Sequence, residues 1–113
     1  LRLSEASAEV DAARTLLRHD IREIFDKARE RGPFSSLERA RYRRDKAFVT
    51  QLCLRSVNRL FNLSGGHAIF DSAPLQRFHR DAQAMAHRDG LIMDLGGQQY
   101  GRVALGLEPD GRL

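Results

Sequence analysis

There is no tryptophan in this chain, a single cysteine, and only three prolines in 113 residues. One cysteine cannot close an internal disulfide or build a cysteine-rich metal site, so neither device is available to hold the fold. Cys53 sits in the apolar run FVTQLCL, which predicts a buried, reduced thiol and, with it, an intracellular, cytoplasmic setting. So few prolines leave long stretches with nothing to interrupt a helix. Long apolar runs are missing too: none reaches about 18 residues, and the first residues lack the basic-then-apolar pattern of a leader peptide. The chain is therefore expected neither to span nor to enter a membrane.

What is present is a mixture of 42% hydrophobic and 30% charged residues, which suits one folded domain with a modest core and argues against wholesale disorder. The net charge of +4 is carried mostly by arginine. Such an excess attracts nucleic acid, acidic membrane or phosphorylated ligands without choosing among them. The sequence opens on Leu1 and runs directly into a helical pattern, and it is read as a piece of a longer polypeptide.

Val10, Ala13, Leu17, Ile21, Ile24, Phe25 and Ala28 recur at three- and four-residue steps and predict a first helix, with Ser4 as its cap. Gly32 and Pro33 end it. A second helix opens at Ser35 or Ser36, with Glu38 in its first turn, and its apolar stripe widens toward Leu60 and Phe61 before Asn62, Ser64, Gly65 and Gly66 stop it. Asp71 or Ser72 caps a third helix with Pro74 in its first turn, continuing through Gly90 to Leu95. Gly96 and Gly97 break that helix, leaving a short last one in QQYGRVALGL. No strand, repeat or low-complexity segment is evident. The fold class is all-α, an up-down helical bundle of three long helices and a short C-terminal one. Apolar faces this wide exceed what three helices bury against one another, so partner helices are implied.

The break at 64–73 concentrates polar side chains. Its helix start, with Arg77 and Arg80 nearby, suits a phosphate, and the glycine pair admits a ligand or another backbone; a Gly-capped turn covers the same residues. His19, His67 and His79 form no metal-ligand spacing, so no metal is expected. Arg80 and Asp81 read as a pair fixing helix packing. Arg39, Arg41, Arg43, Arg44 and Lys46, interrupted by Glu38 and Asp45, read as a solvated helix face rather than a nucleic-acid site.

The order NLSGG at 62–66, PLQR at 74–77, RDA at 80–82, DLGG at 94–97 and the terminal YGRVALGLEP resembles the C-terminal helical domain of the acyl-CoA dehydrogenase superfamily. Within it, PLQRFHRDAQAMAHRD followed by GQQYGRVALGLEP is most similar to the flavin-dependent two-component monooxygenases. The resemblance implies that residues 1–113 are the C-terminal helical bundle of a three-part flavoprotein. It further implies a homo-oligomer, a tetramer assembled through such bundles, and a separate reductase that supplies reduced flavin, FMN or FAD. The substrate would be a small aromatic or sulfur-containing molecule.

Residue by residue, the resemblance implies that Asn62, Gly65 and Gly66 approach the flavin of a neighbouring subunit, with Asn62 and Ser64 departing from the Gln and aromatic residue of the dehydrogenases. It places His87 near the flavin, where a donor steadies the oxygen species formed there. It also places Asp89 where short- and medium-chain dehydrogenases carry the catalytic base, which keeps an acyl-CoA dehydrogenase as an alternative. A stand-alone helical interaction module, including one that binds nucleic acid, is the alternative from another class.

Overall fold

The computed structural model describes residues 1–65 and 74–113, with the side chain of Asp89 excepted. Four α-helices follow in order: α1 over Arg2–Arg29, α2 over Ser36–Leu63, α3 over Pro74–Ala86 and α4 over Met93–Ala104, with a 3₁₀ turn at Asp89–Leu91 before α4. Among the described residues there is no strand. The all-α bundle expected from the periodicity is what forms, although two long and two short helices replace three long and one short.

α1 and α2, each 28 residues and about 42 Å long at 1.5 Å per residue, form an antiparallel hairpin. The turn is built locally. Arg31 adopts φ +55°, its N–H and that of Gly32 return to the carbonyls of Ala28 and Lys27, and Pro33 prevents continuation. Ser35 then caps α2: its hydroxyl accepts from the Glu38 N–H at 3.1 Å while Glu38 accepts from the Ser35 N–H at 3.3 Å. At the other end α1 starts at Leu1 rather than at the expected Ser4 cap.

Small residues let the two helices approach closely. Ala6 and Ala13 on α1, and Ala40 and Ala47 on α2, are seven apart in each helix and at most 2% exposed. Ser56 donates to the Ala6 carbonyl at 3.1 Å, filling its own place in the seam. Ion pairs flank it in antiparallel order, with Arg59 on Glu5 and Glu9, Arg41 on Glu23, and Lys27 on Glu38. Tyr42 also donates to Glu23 at 2.9 Å, and these two donors, Tyr42 first and Arg41 second, hold the Glu23 carboxyl below the usual range. Arg44 clamps Asp45 at 2.6 Å and lies over the Tyr100 ring at 4.2 Å. Arg41, Arg43 and Arg44 are thus half-buried structural groups, and the expected solvated arginine face is corrected for these three.

A second pair of acids was not foreseen. Asp20 on α1 and Asp45 on α2 are 6% and 3% exposed, and their carboxyl groups interact across the seam. Burial first, and Asp45 second, push the Asp20 pKa up. The stability contributed by protonated Asp20 is complete below the unfolded carboxyl value near about pH 4 and is lost as the pH rises through the higher folded value. Asp20→Asn keeps a donor for Asp45 without the second charge. It is expected to raise stability at pH 7 by about 1 kcal/mol and to flatten the decline between acid and neutral pH, as measured by urea midpoints across that range.

α3 and α4 both lie against α2. The Asn58 side-chain oxygen Oδ1 accepts from His79 at 2.9 Å and from Gln83 at 3.0 Å, and Phe61 stacks on the His79 ring at 4.1 Å between centroids. α4 crosses α2 at Gly96, so Gly96 and Gly97 lie inside a helix instead of breaking one. The third helix accordingly stops at Ala86, before Gly90, not at Leu95. The tail folds back: Gln99 is bonded on both sides to the Asp110 backbone, and Arg43 reaches the Arg112 carbonyl.

Cys53 is exposed, which corrects the expectation of a buried thiol: it faces the side of α2 that no described helix covers. Leu17, Ile21, Phe25, Phe78 and Met85 also remain 42–67% exposed. The apolar stripes are therefore longer than the described chain covers, as their width implied.

Candidate functional site

The helix order separates the predicted site residues into two places. Asn62 is exposed in the last turn of α2, and Gly65 follows in the left-handed conformation, φ +62°, that ends the helix without a Cβ penalty. A Cβ placed on Gly65 would meet nothing within 4 Å among the described residues, which leave that stretch of main chain open to approach. Gly66, with Asp71 and Ser72, lies outside the described residues. His87 is at the opposite end of α3, one residue past Ala86. Leu54, which lines a cleft with His87, precedes Asn62 by eight residues, about 12 Å along α2, so the two places are separate.

The His87 end has the shape of a site. His87 lines a cleft of about 320 Å³ whose floor is Ala47 and Leu54 of α2 and whose far wall is Leu91, Ile92 and Met93. Thr50, Gln51 and Asp94 give it polar edges. The volume is at the lower end of small-molecule pockets, enough for one ring or one edge of a larger cofactor. His87 Nδ1 bonds the Gln83 carbonyl. A carbonyl only accepts, so Nδ1 carries the proton, and in the neutral ring Nε2 is left with a free lone pair. Asp89 belongs to the 3₁₀ turn beside this cleft, but its carboxylate lies outside the described side chains.

The other residues considered in the sequence are structural. His79 is held by Asn58 and Phe61, and Asp81 faces Arg77 at 3.9 Å rather than Arg80. Among the described residues no three His, Cys, Asp or Glu side chains gather as a metal set, and no helix is long and apolar enough to cross a membrane. A larger groove of about 710 Å³ runs between α1 and α2, with Leu17, Ile21, Ile24 and Val49 in its floor and Arg39 and Lys46 at its rim. It is the uncovered part of the apolar stripes, and the seam acids Asp20 and Asp45 also line it.

Comparison with known proteins decides the kinship. Residues 1–90 match the family described as Acyl-CoA dehydrogenase, C-terminal domain. The chain belongs to that family. This C-terminal domain is 37% identical over 116 residues to the FADH(2)-dependent resorcinol hydroxylase, oxygenase component, of Rhizobium sp. (strain MTP-10005), covering 99% of the chain and 28% of that protein. It is 30% identical over 114 residues to the p-hydroxyphenylacetate 3-hydroxylase, oxygenase component, of Acinetobacter baumannii, covering 97% of the chain and 26% of the relative. Among solved structures, XiaF from Streptomyces sp. in complex with FADH2 and glycerol matches with a TM-score of 0.92 and 26% identity over 98% of the chain and 28% of XiaF. The domain thus spans little more than a quarter of each of these relatives. They confirm the resemblance to flavin-dependent oxygenase components drawn from PLQRFHRDAQAMAHRD and GQQYGRVALGLEP.

The polar residues that α2 gives this cleft were not identified from sequence. Thr50 and Gln51 are the polar interruption in AFVTQLCL, and that interruption was the one local signal available.

Proposed function

We propose that this domain is the C-terminal part of the oxygenase component of a two-component monooxygenase, which uses reduced flavin from a separate reductase to hydroxylate a small aromatic substrate. The single observation behind this is the tautomer-fixed His87 on a ring-sized cleft in a chain whose relatives are oxygenase components of hydroxylases. Reduced flavin, when bound, supplies two electrons and two protons per turnover, so that one atom of O2 enters the ring and the other leaves as water.

The residues present fit such a group in two ways. Open main chain at Gly65, with Asn62 exposed beside it, suits close approach by a cofactor held mainly by a neighbouring subunit. The cleft is too small for a whole dinucleotide and suits the reacting ring. His87, with Nδ1 tied to Gln83, presents Nε2 to a ring hydroxyl and accepts its proton, which raises electron density on the ring carbons next to and opposite that oxygen. Leu91, Ile92 and Met93 exclude water from the ring face. The remainder of the site and the choice of FAD or FMN are assigned to the rest of the polypeptide, and the uncovered stripes of α1 and α3 to a homotetramer.

The test uses the native polypeptide that carries this domain, reduced flavin and ¹⁸O2, with resorcinol and phenol as substrates. Hydroxylated product with one ¹⁸O per ring is expected, and none from residues 1–113 alone. Acyl-CoA oxidation that needs no added reduced flavin and is lost in Asp89→Asn would favour the dehydrogenase reading instead. The nucleic-acid alternative loses its main support because Arg41 and Arg44 are engaged in ion pairs and Arg43 holds the tail.

A further inference from the structure

We propose that Gln51 determines substrate specificity in the His87 cleft: its side-chain amide hydrogen-bonds a second polar substituent on an aromatic ring whose first hydroxyl meets His87. The inference rests on the monooxygenase reading above and narrows it from an aromatic substrate to a ring with two hydrogen-bonding groups.

Gln51 and His87 line the same cleft from different helices. Gln51 follows Ala47 by four residues and precedes Leu54 by three, so the three share the face of α2 that forms the cleft floor. The two polar side chains that α2 contributes to the lining differ in their commitments. The Thr50 hydroxyl donates to its own helix, to the Lys46 carbonyl at 3.0 Å. The Gln51 amide is half-buried and has no hydrogen-bond partner among the described residues. An amide carries both a donor pair and an acceptor, so it is satisfied by a hydroxyl, a carbonyl or a carboxylate. Much of the remaining lining is aliphatic, from Ala47, Leu54, Leu91 and Ile92. That pattern, polar groups from two different elements in a largely aliphatic lining, complements a disubstituted ring. A ring lacking the second group would close the cleft over an unsatisfied amide, and sites built around a hydrogen bond discriminate most strongly by that route.

The experiment compares resorcinol with phenol in the native polypeptide, by kcat/KM for hydroxylation and by equilibrium dialysis without turnover. The unaltered protein is expected to favour resorcinol about tenfold in both. Gln51→Leu is expected to reduce that preference to about twofold through the KM of resorcinol, with kcat nearly unchanged. Gln51→Glu, which retains an acceptor for the hydroxyl, should restore most of it. A preference that survives in Gln51→Leu, or one lost equally in Gln51→Glu, overturns the inference. Gln51-dependent resorcinol binding without any hydroxylation sustains Gln51 and sinks the monooxygenase reading; hydroxylation with a preference indifferent to residue 51 does the reverse.

Discussion

His87→Ala, made in the native polypeptide, is expected to lower hydroxylation about 100-fold while oxygen consumption by reduced flavin continues. The side chain is anchored through one nitrogen and free at the other: the Gln83 carbonyl holds Nδ1–H, so the only ring atom available to a substrate in the neutral form is Nε2. Removing the ring removes the acceptor for the phenolic proton from a residue that lies one position past the end of α3. Oxygen that no longer reaches the ring should leave as hydrogen peroxide, two electrons and two protons per O2. Simultaneous measurement of product by chromatography and of peroxide by a coupled peroxidase assay checks the partition. An alanine variant that hydroxylates within twofold of the parent would make His87 an ordinary helix-end residue and remove the chemical argument for the cleft.

What the sequence disclosed follows the range of the interactions involved. The hairpin turn at residues 30–35 was legible because its signals, Gly32, Pro33 and the Ser35 to Glu38 spacing, act within three or four residues of one another. The stop at Gly65 was legible for the same reason. Gly96 was misread because its function is not local. As a pair with Gly97 it signals a helix end, yet α4 runs through both and uses the missing Cβ of Gly96 to approach α2. Asp45 read as part of a solvated helix face and Asp20 carried no signal of its own, and only the antiparallel seam brings them together. The candidate site divides in the same way. His87 was found through its resemblance to a family, whereas Thr50 and Gln51 meet it only because α2 passes beneath the turn before α4.

The alanine seam between α1 and α2 and the glycine contact between α2 and α4 apply one device twice: a small residue admits a neighbouring backbone, and the larger apolar groups are left on outer faces. This gives the domain a thin core of its own, with Ala6, Ala13, Ala40, Ala47, Leu52 and Ala86 as its buried apolar residues. Close backbone approach in such a core leaves little slack for volume changes.

Gly96→Leu is therefore expected to be the most damaging single substitution away from the chemistry, costing about 3 kcal/mol or more. A Cβ at Gly96 would stand 3.1 Å from the Arg43 carbonyl oxygen and 3.3 Å from the Ala47 methyl, and neither can rotate aside. Alanine at this position already forces a few tenths of an ångström of separation, partly offset by the roughly 1 kcal/mol by which alanine exceeds glycine in a helix. Leucine adds three more carbons and must push α4 off α2, which also withdraws Tyr100 from Arg44 and moves Met93 away from the cleft wall. Gly101, in the same helix, supplies the control: a Cβ there meets nothing within 4 Å, so Gly101→Ala should stabilise by about 0.5–1 kcal/mol. Urea unfolding of the two variants should move the midpoint in opposite directions. Equal and small shifts would mean that α4 rides loosely on α2, and a cleft wall resting on α4 could not then hold a substrate ring in place.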